Sequence, residues 1–447
     1  MSEQKYFGTD GVRGLVGKTP MTVDFALRLA NAAAVVLTPN GGKVLIGKDT
    51  RLSGYMFESA IEAGLVAAGV DVMLIGPLPT PGVAYMTRHL GCDFGVVVSA
   101  SHNHYLDNGI KFFDRNGGKL SDELELKIEA HLEEAPVTVE SEKLGKVTRV
   151  DHTRDAYQKF CLSTVPEDFR LDGMSIVVDA ANGAGYKVAP RVFTELGAEV
   201  TPIGAAPNGR NINAQCGSTH PELLQLTVKG VHAHCGIALD GDGDRLLMVD
   251  ENSDIIDGDQ LLYILAQSMK KSGTLTGPVI GTLMTNLGVE RAIKNLGIEF
   301  RRAKVGDRYI RRLMRESGSN LGGESSGHII CLTKTTTGDA IVVALQILAE
   351  MKKNSSTLSA LRREVKLFPR VLINERTERN GGSLTSKRLV DAITLSEKEL
   401  GSEGRVVVRK SGTEPVIRVM VEAAVEADAK RHAEALSSIV REEHSAS

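Results

Sequence analysis

The chain has 447 residues, which at roughly 100–200 residues per domain predicts two to four domains and excludes a single core, because such cores stop growing near about 250–300 residues. Hydrophobic residues at 42% and charged residues at 24% match soluble globular chains and exclude collagen-like, coiled-coil and disordered classes, while 4% aromatics with no Trp argues against stacking platforms for bases or sugar rings. Lys+Arg 53 against Asp+Glu 56 leaves a formal charge of −3, which offers no overall basic footprint for nucleic acid or an anionic membrane.

The N-terminus MSEQKYFGTD has no basic segment ahead of an apolar one, and no apolar run approaches the roughly 18 residues needed to span a bilayer. A soluble, cytoplasmic protein is expected. Residues 22–37 carry helical periodicity, 43–48 (KVLIGK) a short apolar strand, 55–68 a helix and 70–75 (VDVMLI) a strand, an alternation that predicts a parallel or mixed sheet with helices. FGVVVSAS at 94–101 reads as a strand running into the polar loop HNHYLDNG, followed by the apolar IKFF and a charged helix near 121–134. Functional loops of α/β folds lie at such carboxyl ends of strands.

The phrases AGVDV at 68–72, LGAEV at 196–200 and LGIEF at 296–300 form a weak internal repeat, each reading as a helix that stops on Gly before an acidic residue enters a strand. The expected domains are 1–153, 154–255, 256–367 and 368–447, the last reading β-α-β-β-α. Five cysteines, Cys92, Cys161, Cys216, Cys235 and Cys331, are odd in number, widely spaced and without a CxxC pair, so reduced thiols are expected in place of a disulfide framework or zinc site.

The most specific local signal is LDGDGDR at 239–245. Asp240, Asp242 and Asp244 alternate with glycine, so three hard oxygen ligands can converge in one tight loop, a set suited to Mg²⁺ or Ca²⁺ and not zinc. An EF-hand also places acids at these positions and at Glu251, but its required glycine is replaced by Arg245 and the flanks GIALD and LLMVD are strand-like. In VVVSASHNHYLDNGIKFF at 96–113, Ser101 follows an apolar strand beside His102, with Lys111 further on. Such a serine can act as nucleophile or phosphate carrier with Lys111 or His102 moving protons, or can merely close the strand in a turn.

GGESSGH at 322–328 offers Glu324, Ser326 and His328 to a polyhydroxylated ligand, and a solvated turn fits the same residues equally well. RKSGTEP, bracketed by two strand-like runs within 406–423, can present Ser411, Gly412 and Thr413 as a nest of hydroxyls and N–H groups, with Arg409 and Arg418 adding charge-assisted bonds to a phosphate. NGAGYKV at 182–188 lacks the third glycine of a dinucleotide fingerprint, GKDT at 47–50 lacks the upstream glycine of a Walker A loop, and no GxSxG elbow occurs. Nicotinamide, P-loop and α/β-hydrolase chemistry therefore have no support.

Taken in order, SASHN, DGDGDR, GGESSGH and RKSGTEPVIR resemble the α-D-phosphohexomutase superfamily along the whole chain. FGTDGVRG, RAKVGDRYI and KTTTGDAIV are similar, more narrowly, to its bacterial phosphoglucosamine mutase branch. The resemblance implies three similar α/β domains with mixed sheets plus a smaller α+β C-terminal domain around a central cleft. It also implies Ser101 as the serine carrying a phosphoryl group, Mg²⁺ on Asp240, Asp242, Asp244 and a phosphate oxygen of phospho-Ser101, and Lys111, Arg13 and His102 beside the transferring group. Arg245, Glu324 and Ser326 would then contact phosphate or sugar, and Arg409, Ser411, Gly412, Thr413 and Arg418 the phosphate that is not reacting.

The implied reaction interconverts glucosamine 6-phosphate and glucosamine 1-phosphate through glucosamine 1,6-bisphosphate, which, or another hexose bisphosphate, would serve as activator. Small sugar phosphates are the expected partners, without nucleic acid or membrane, and the resemblance suggests a homodimer. Two positions depart from the pattern: His104 where a proline is usual, and Ser325 where an amide residue commonly precedes SGH. The latter keeps a phosphomannomutase/phosphoglucomutase as the alternative, while a non-catalytic sugar-phosphate-binding protein would be expected to have lost Ser101, a loop carboxylate or Arg409 and Arg418.

Overall fold

Hydrophobic alternation and helical periodicity resolve into layers of helix and sheet in a computed structural model that describes residues 4–376, 384–410 and 416–444. Two compact units emerge, Met1–Thr282 with Ala303–Arg363, and Leu283–Arg302 with Glu364–Ser447. No helix among the described residues is long and apolar enough to cross a membrane.

In the first unit a six-stranded mixed sheet takes the order Val12–Leu15, Asp107–Asp114, Phe94–Val98, Gly42–Lys48, Val70–Pro77, Val147–Arg149. Gly42–Lys48 pairs in parallel with both Val70–Pro77 and Phe94–Val98, whereas Asp107–Asp114 runs antiparallel to Phe94–Val98 and to Val12–Leu15. Phe94–Val98 is buried along its whole length, which explains its uninterrupted apolar sequence. Helix Val23–Leu37 covers the sheet with an alanine-rich buried face and lies against helix Ser53–Ala67. Gly64 makes that approach close: a Cβ there would come within 2.3 Å of the Leu27 carbonyl oxygen.

A second mixed sheet has the order Ile255–Ile256, Leu246–Val249, Cys235–Leu239, Ser175–Asp179, Glu199–Ile203. Val279–Thr282, Leu321–Gly323 and Ile329–Cys331 lie side by side in a third, the first pair parallel and the second antiparallel. The three repeat phrases occupy equivalent helix-to-strand turns, and their glycines Gly69, Gly197 and Gly297 have φ of +83°, +96° and +70°. Only glycine takes that conformation without strain, so the repeat is a shared turn geometry.

Three elements differ from expectation. The strand at 94 stops at Val98, leaving Ser99 to Ser101 in the loop; the charged helix runs Asp122–His131, capped by the Ser121 hydroxyl. An additional helix, Thr80–His89, begins within PTPG, where the sequence pattern places no element. Pro81 is tolerated there because a first-turn residue has no intrahelical partner for the N–H it lacks.

The second unit contains an antiparallel sheet of Arg370–Arg376, Val416–Ala423 and Gly404–Lys410 with helices Lys387–Leu400 and Glu426–His444, the β-α-β-β-α order of the sequence pattern. Leu389, Ile417, Val419, Val421, Leu436 and Val440 form its core. The buried Glu422 carboxylate accepts from Arg370 Nε at 2.8 Å and Arg405 Nε at 2.6 Å, so it is fully paired. All five cysteines are free and buried.

Candidate active site

The carboxyl ends of Phe94–Val98 and Cys235–Leu239 deliver the serine loop and the acidic loop to one place in the first unit. Ser101 Oγ donates to Asp240 Oδ2 at 2.6 Å, and His102 Nδ1 stands 3.4 Å from the same hydroxyl. Ser101 has φ +54°, a left-handed conformation that costs a residue with a Cβ on the order of 1 kcal/mol. Gly241 and Gly183 let the loops meet: a Cβ on Gly241 would fall 2.6 Å from the Ser101 carbonyl oxygen, and one on Gly183 2.2 Å from the Gly241 carbonyl oxygen.

Asp240, Asp242 and Asp244 are all buried, and each offers one oxygen within 4.8 Å of the others. Asp240 Oδ1 accepts from the Asp244 and Arg245 N–H groups, both at 3.2 Å, while Asp242 Oδ1 and Asp244 Oδ1 are buried without a hydrogen-bond partner. Burial, then the charges of Asp242 and Asp244, push the Asp240 carboxyl well above the usual carboxylate range. Three buried carboxylates, two of them with an unpartnered oxygen, are the donor set a hard divalent cation requires, so the residues fit Mg²⁺. Glu251 is not part of this set; its carboxylate accepts from Ser359, as the strand-like flanks require.

Lys111, on Asp107–Asp114, is buried and its Nζ lies 2.6 Å from Asp242 Oδ2, 2.8 Å from Asp10 Oδ2 and 3.5 Å from Asp244 Oδ2. Although burial opposes its charge, Asp10, Asp242 and Asp244 hold it protonated well above the ordinary lysine range. Arg13 pairs with Asp10, as does Lys119, which also pairs with Asp307. His328 closes a ring of alternating charge, Nδ1 3.6 Å from Asp244 and Nε2 3.5 Å from Asp307. Despite burial, those two carboxylates raise the imidazole to about 10. Burial, with Arg245 and Arg13, pushes His102 the other way, to about 3.

The GGESSGH loop packs directly on the acidic loop, since Leu246 N–H donates to the Gly327 carbonyl at 3.1 Å and the backbones of Arg245 and His328 form an isolated antiparallel bridge. Gly327 is indispensable to this approach, because a Cβ would meet the Leu246 carbonyl oxygen at 2.1 Å. Glu324 accepts from the Gly306 N–H at 2.7 Å and from the Ser326 hydroxyl at 3.3 Å. Ser101, His102, Lys111, Arg13, the three aspartates, Arg245, Glu324 and Ser326 are therefore assembled in one unit. Arg409 and Arg418 lie in the other unit as cross-strand partners, and Ser411, Gly412 and Thr413 fall outside the described residues.

Four family models cover nearly the whole chain: phosphoglucomutase/phosphomannomutase α/β/α domain I over residues 4–137, domain II over 154–254, domain III over 257–368 and the C-terminal domain over 372–438. The chain belongs to the phosphoglucomutase/phosphomannomutase family. Within this family it is 53% identical to a phosphoglucosamine mutase of Legionella pneumophila (strain Lens), over 98% of this chain and 96% of that one. It is also 54% identical to a phosphoglucosamine mutase of Pseudomonas entomophila (strain L48), over 98% and 99%. Among solved structures, a Burkholderia thailandensis phosphoglucomutase/phosphomannomutase family protein superposes with TM-score 0.81 at 25% identity, covering 99% of this chain and 98% of that one. Aspergillus fumigatus N-acetylphosphoglucosamine mutase shares the fold at TM-score 0.70 and 18% identity, covering 99% and 96%.

Motif reading left out Asp10, Thr80, Lys119 and Asp307. Thr80 binds Asp242, and the other three join the charged ring. Asp10 and Asp307 sit inside FGTDGVRG and RAKVGDRYI, so the signal was their presence in those phrases; Thr80 and Lys119 have no spacing that marks them.

Proposed function

We propose that this member of the phosphoglucomutase/phosphomannomutase family interconverts glucosamine 6-phosphate and glucosamine 1-phosphate, with Ser101 as the phosphoryl carrier. The observation that carries the reading is Ser101 Oγ seated on Asp240 inside a buried three-aspartate cluster. Identity above 50% to phosphoglucosamine mutases across nearly full length supports the amino sugar as substrate.

Asp240, Asp242 and Asp244, with an oxygen of phospho-Ser101, would hold Mg²⁺, which supplies charge neutralisation for the phosphoryl oxygens. In the first half-reaction the Oγ–P bond of phospho-Ser101 breaks as O1 of glucosamine 6-phosphate forms its bond to phosphorus. The O1 proton leaves and Ser101 Oγ gains one. The O6–P bond of the resulting 1,6-bisphosphate then breaks as Ser101 Oγ forms its bond to that phosphorus, the hydroxyl losing its proton and O6 taking one up. Lys111 and His102 are the groups beside the acidic loop that can move these protons, and Arg13 adds positive charge next to Lys111. Arg245, Glu324 and Ser326 bind phosphate or sugar hydroxyls, Arg409 and Arg418 offer a phosphate anchor together with Ser411, Gly412 and Thr413, and a hexose bisphosphate primes the serine. The domain limits 1–153, 154–255, 256–367 and 368–447 belong to the same reading; the grouping of strands into separate sheets supports them.

Comparing kcat/KM for glucosamine 6-phosphate, glucose 6-phosphate and mannose 6-phosphate tests the assignment. Preference for the amino sugar is expected, and a clear preference for either neutral sugar would overturn it in favour of a phosphomannomutase/phosphoglucomutase.

A further inference from the structure

Arg51 does not touch the aspartates, yet its guanidinium is wholly buried and every N–H it has is used. Nε donates to Asp49 Oδ2 at 2.8 Å, Nη1 to the carbonyls of His104 at 2.6 Å and Asp107 at 3.0 Å, and Nη2 to the carbonyls of Ser101 at 3.0 Å and Asn103 at 2.8 Å. Four carbonyls of one loop thus converge on a single planar cation, a geometry the five fixed donors of arginine permit and the point charge of lysine does not. Asp49 balances the charge and ties the loop a second time, accepting from the Ser99 hydroxyl at 2.6 Å, while Ser99 Oγ accepts from the Ser101 N–H at 2.9 Å.

The Ser101 carbonyl is also gripped from the other side. Asn213 Nδ2 donates to it at 2.9 Å and to the Asn103 carbonyl at 3.1 Å. Asn213 is itself held at φ +56°, its N–H donating to the Ala181 carbonyl at 2.9 Å. A left-handed residue with a Cβ persists only where its surroundings over-determine it, and these two donors act on the peptide group that follows the Ser101 Cα.

We propose that Arg51 and Asn213 are positioning residues of the phosphoryl transfer, a two-sided clamp that keeps Ser101 left-handed and so aims its hydroxyl into the aspartate cluster. This rests on Ser101 being the carrier. Releasing the clamp lets the loop relax toward an ordinary conformation, which displaces Oγ while leaving the sugar-contacting loops untouched.

The test follows phosphoryl uptake from glucose 1,6-bisphosphate by intact-mass time course in the wild-type chain, Arg51→Lys and Asn213→Gly, alongside kcat and KM for glucosamine 6-phosphate and thermal midpoints. Glycine at 213 keeps the positive φ without strain and removes only the amide. Uptake and kcat should fall together, about 100-fold in Arg51→Lys, as expected for a reacting atom misplaced by an ångström, and about 10-fold in Asn213→Gly, with KM unchanged. Folded variants with wild-type uptake, or a loss confined to KM, overturn the clamp alone. A wild-type chain that never takes up a phosphoryl group sinks the carrier role of Ser101 and the clamp with it. Should Arg51→Lys fail to fold, Asn213→Gly decides the matter by itself.

Discussion

Thr80 is bonded twice to Asp242: its N–H donates to the Asp242 carbonyl at 2.8 Å and its hydroxyl to Asp242 Oδ2 at 2.6 Å. The first residue of a helix over the first sheet thereby fixes both the backbone and the side chain of one carboxylate in the acidic loop. Outer partners of metal ligands typically contribute 10–100-fold to metal affinity. Thr80→Val should accordingly weaken Mg²⁺ activation by roughly 10–100-fold at unchanged fold, measured as the Mg²⁺ concentration giving half-maximal turnover.

Asp240 carries the cost of like charges in the absence of a cation. In EDTA, Asp240→Asn should raise the thermal midpoint by about 2–4 °C by removing a buried charge, even as turnover is lost. The wild-type midpoint should climb with added Mg²⁺, by the equivalent of about 2.7 kcal/mol at 100 times the dissociation constant, and that of Asp240→Asn should stay flat. A variant that responds to Mg²⁺ like the wild type would remove Asp240 from the metal site.

Ser101→Ala should abolish the +80 Da species and cut turnover by more than about 1000-fold, because the proposed route passes the phosphoryl through this hydroxyl between the two half-reactions. Binding of glucosamine 6-phosphate, followed by calorimetry, should survive. Near-normal turnover would be incompatible with the proposed carrier.

Glu125 supplies a pH dependence remote from the acidic loop. It pairs with Arg308 and Gln4, yet burial pushes its carboxyl up to about 7 against their influence. The folded value lies above the ordinary 4.5, so between the two the folded chain keeps a proton the unfolded chain has released. Its contribution is complete below pH 4.5 and is lost as pH rises through about 7. Glu125→Gln stays neutral throughout, so its stability relative to wild type should grow across that window, by on the order of 1–3 kcal/mol at pH 8. Denaturant midpoints at pH 5, 6, 7 and 8 check this; a constant difference would contradict it.

Legibility from sequence followed the range of the interaction. The alternating aspartates of 240–244 and the helix-stopping glycines 69, 197 and 297 are local, and local spacing revealed them. The ring through Asp10, Lys119, Asp307 and His328 joins residues more than 300 positions apart, so no spacing within a segment encodes it. The left-handed backbone of Ser101 was equally hidden, because serine is an ordinary strand and loop residue and the clamp that holds the conformation comes from the distant Arg51 and Asn213. Thr80–His89 was obscured by its own PTPG start, which suits a turn as well as a helix.

The five buried thiols equip the chain with silent reporters. Burial pushes Cys92 and Cys216 up to about 11 and Cys235 up to about 12, so none reacts until its surroundings open. Cys92 precedes a strand of the first sheet, Cys235 begins one in the second and Cys331 ends one in the third, while residues 384–444 contain no cysteine. Maleimide labelling over time, read cysteine by cysteine through peptide mass, would therefore follow the opening of each sheet and remain blind to residues 384–444, with no engineered site required.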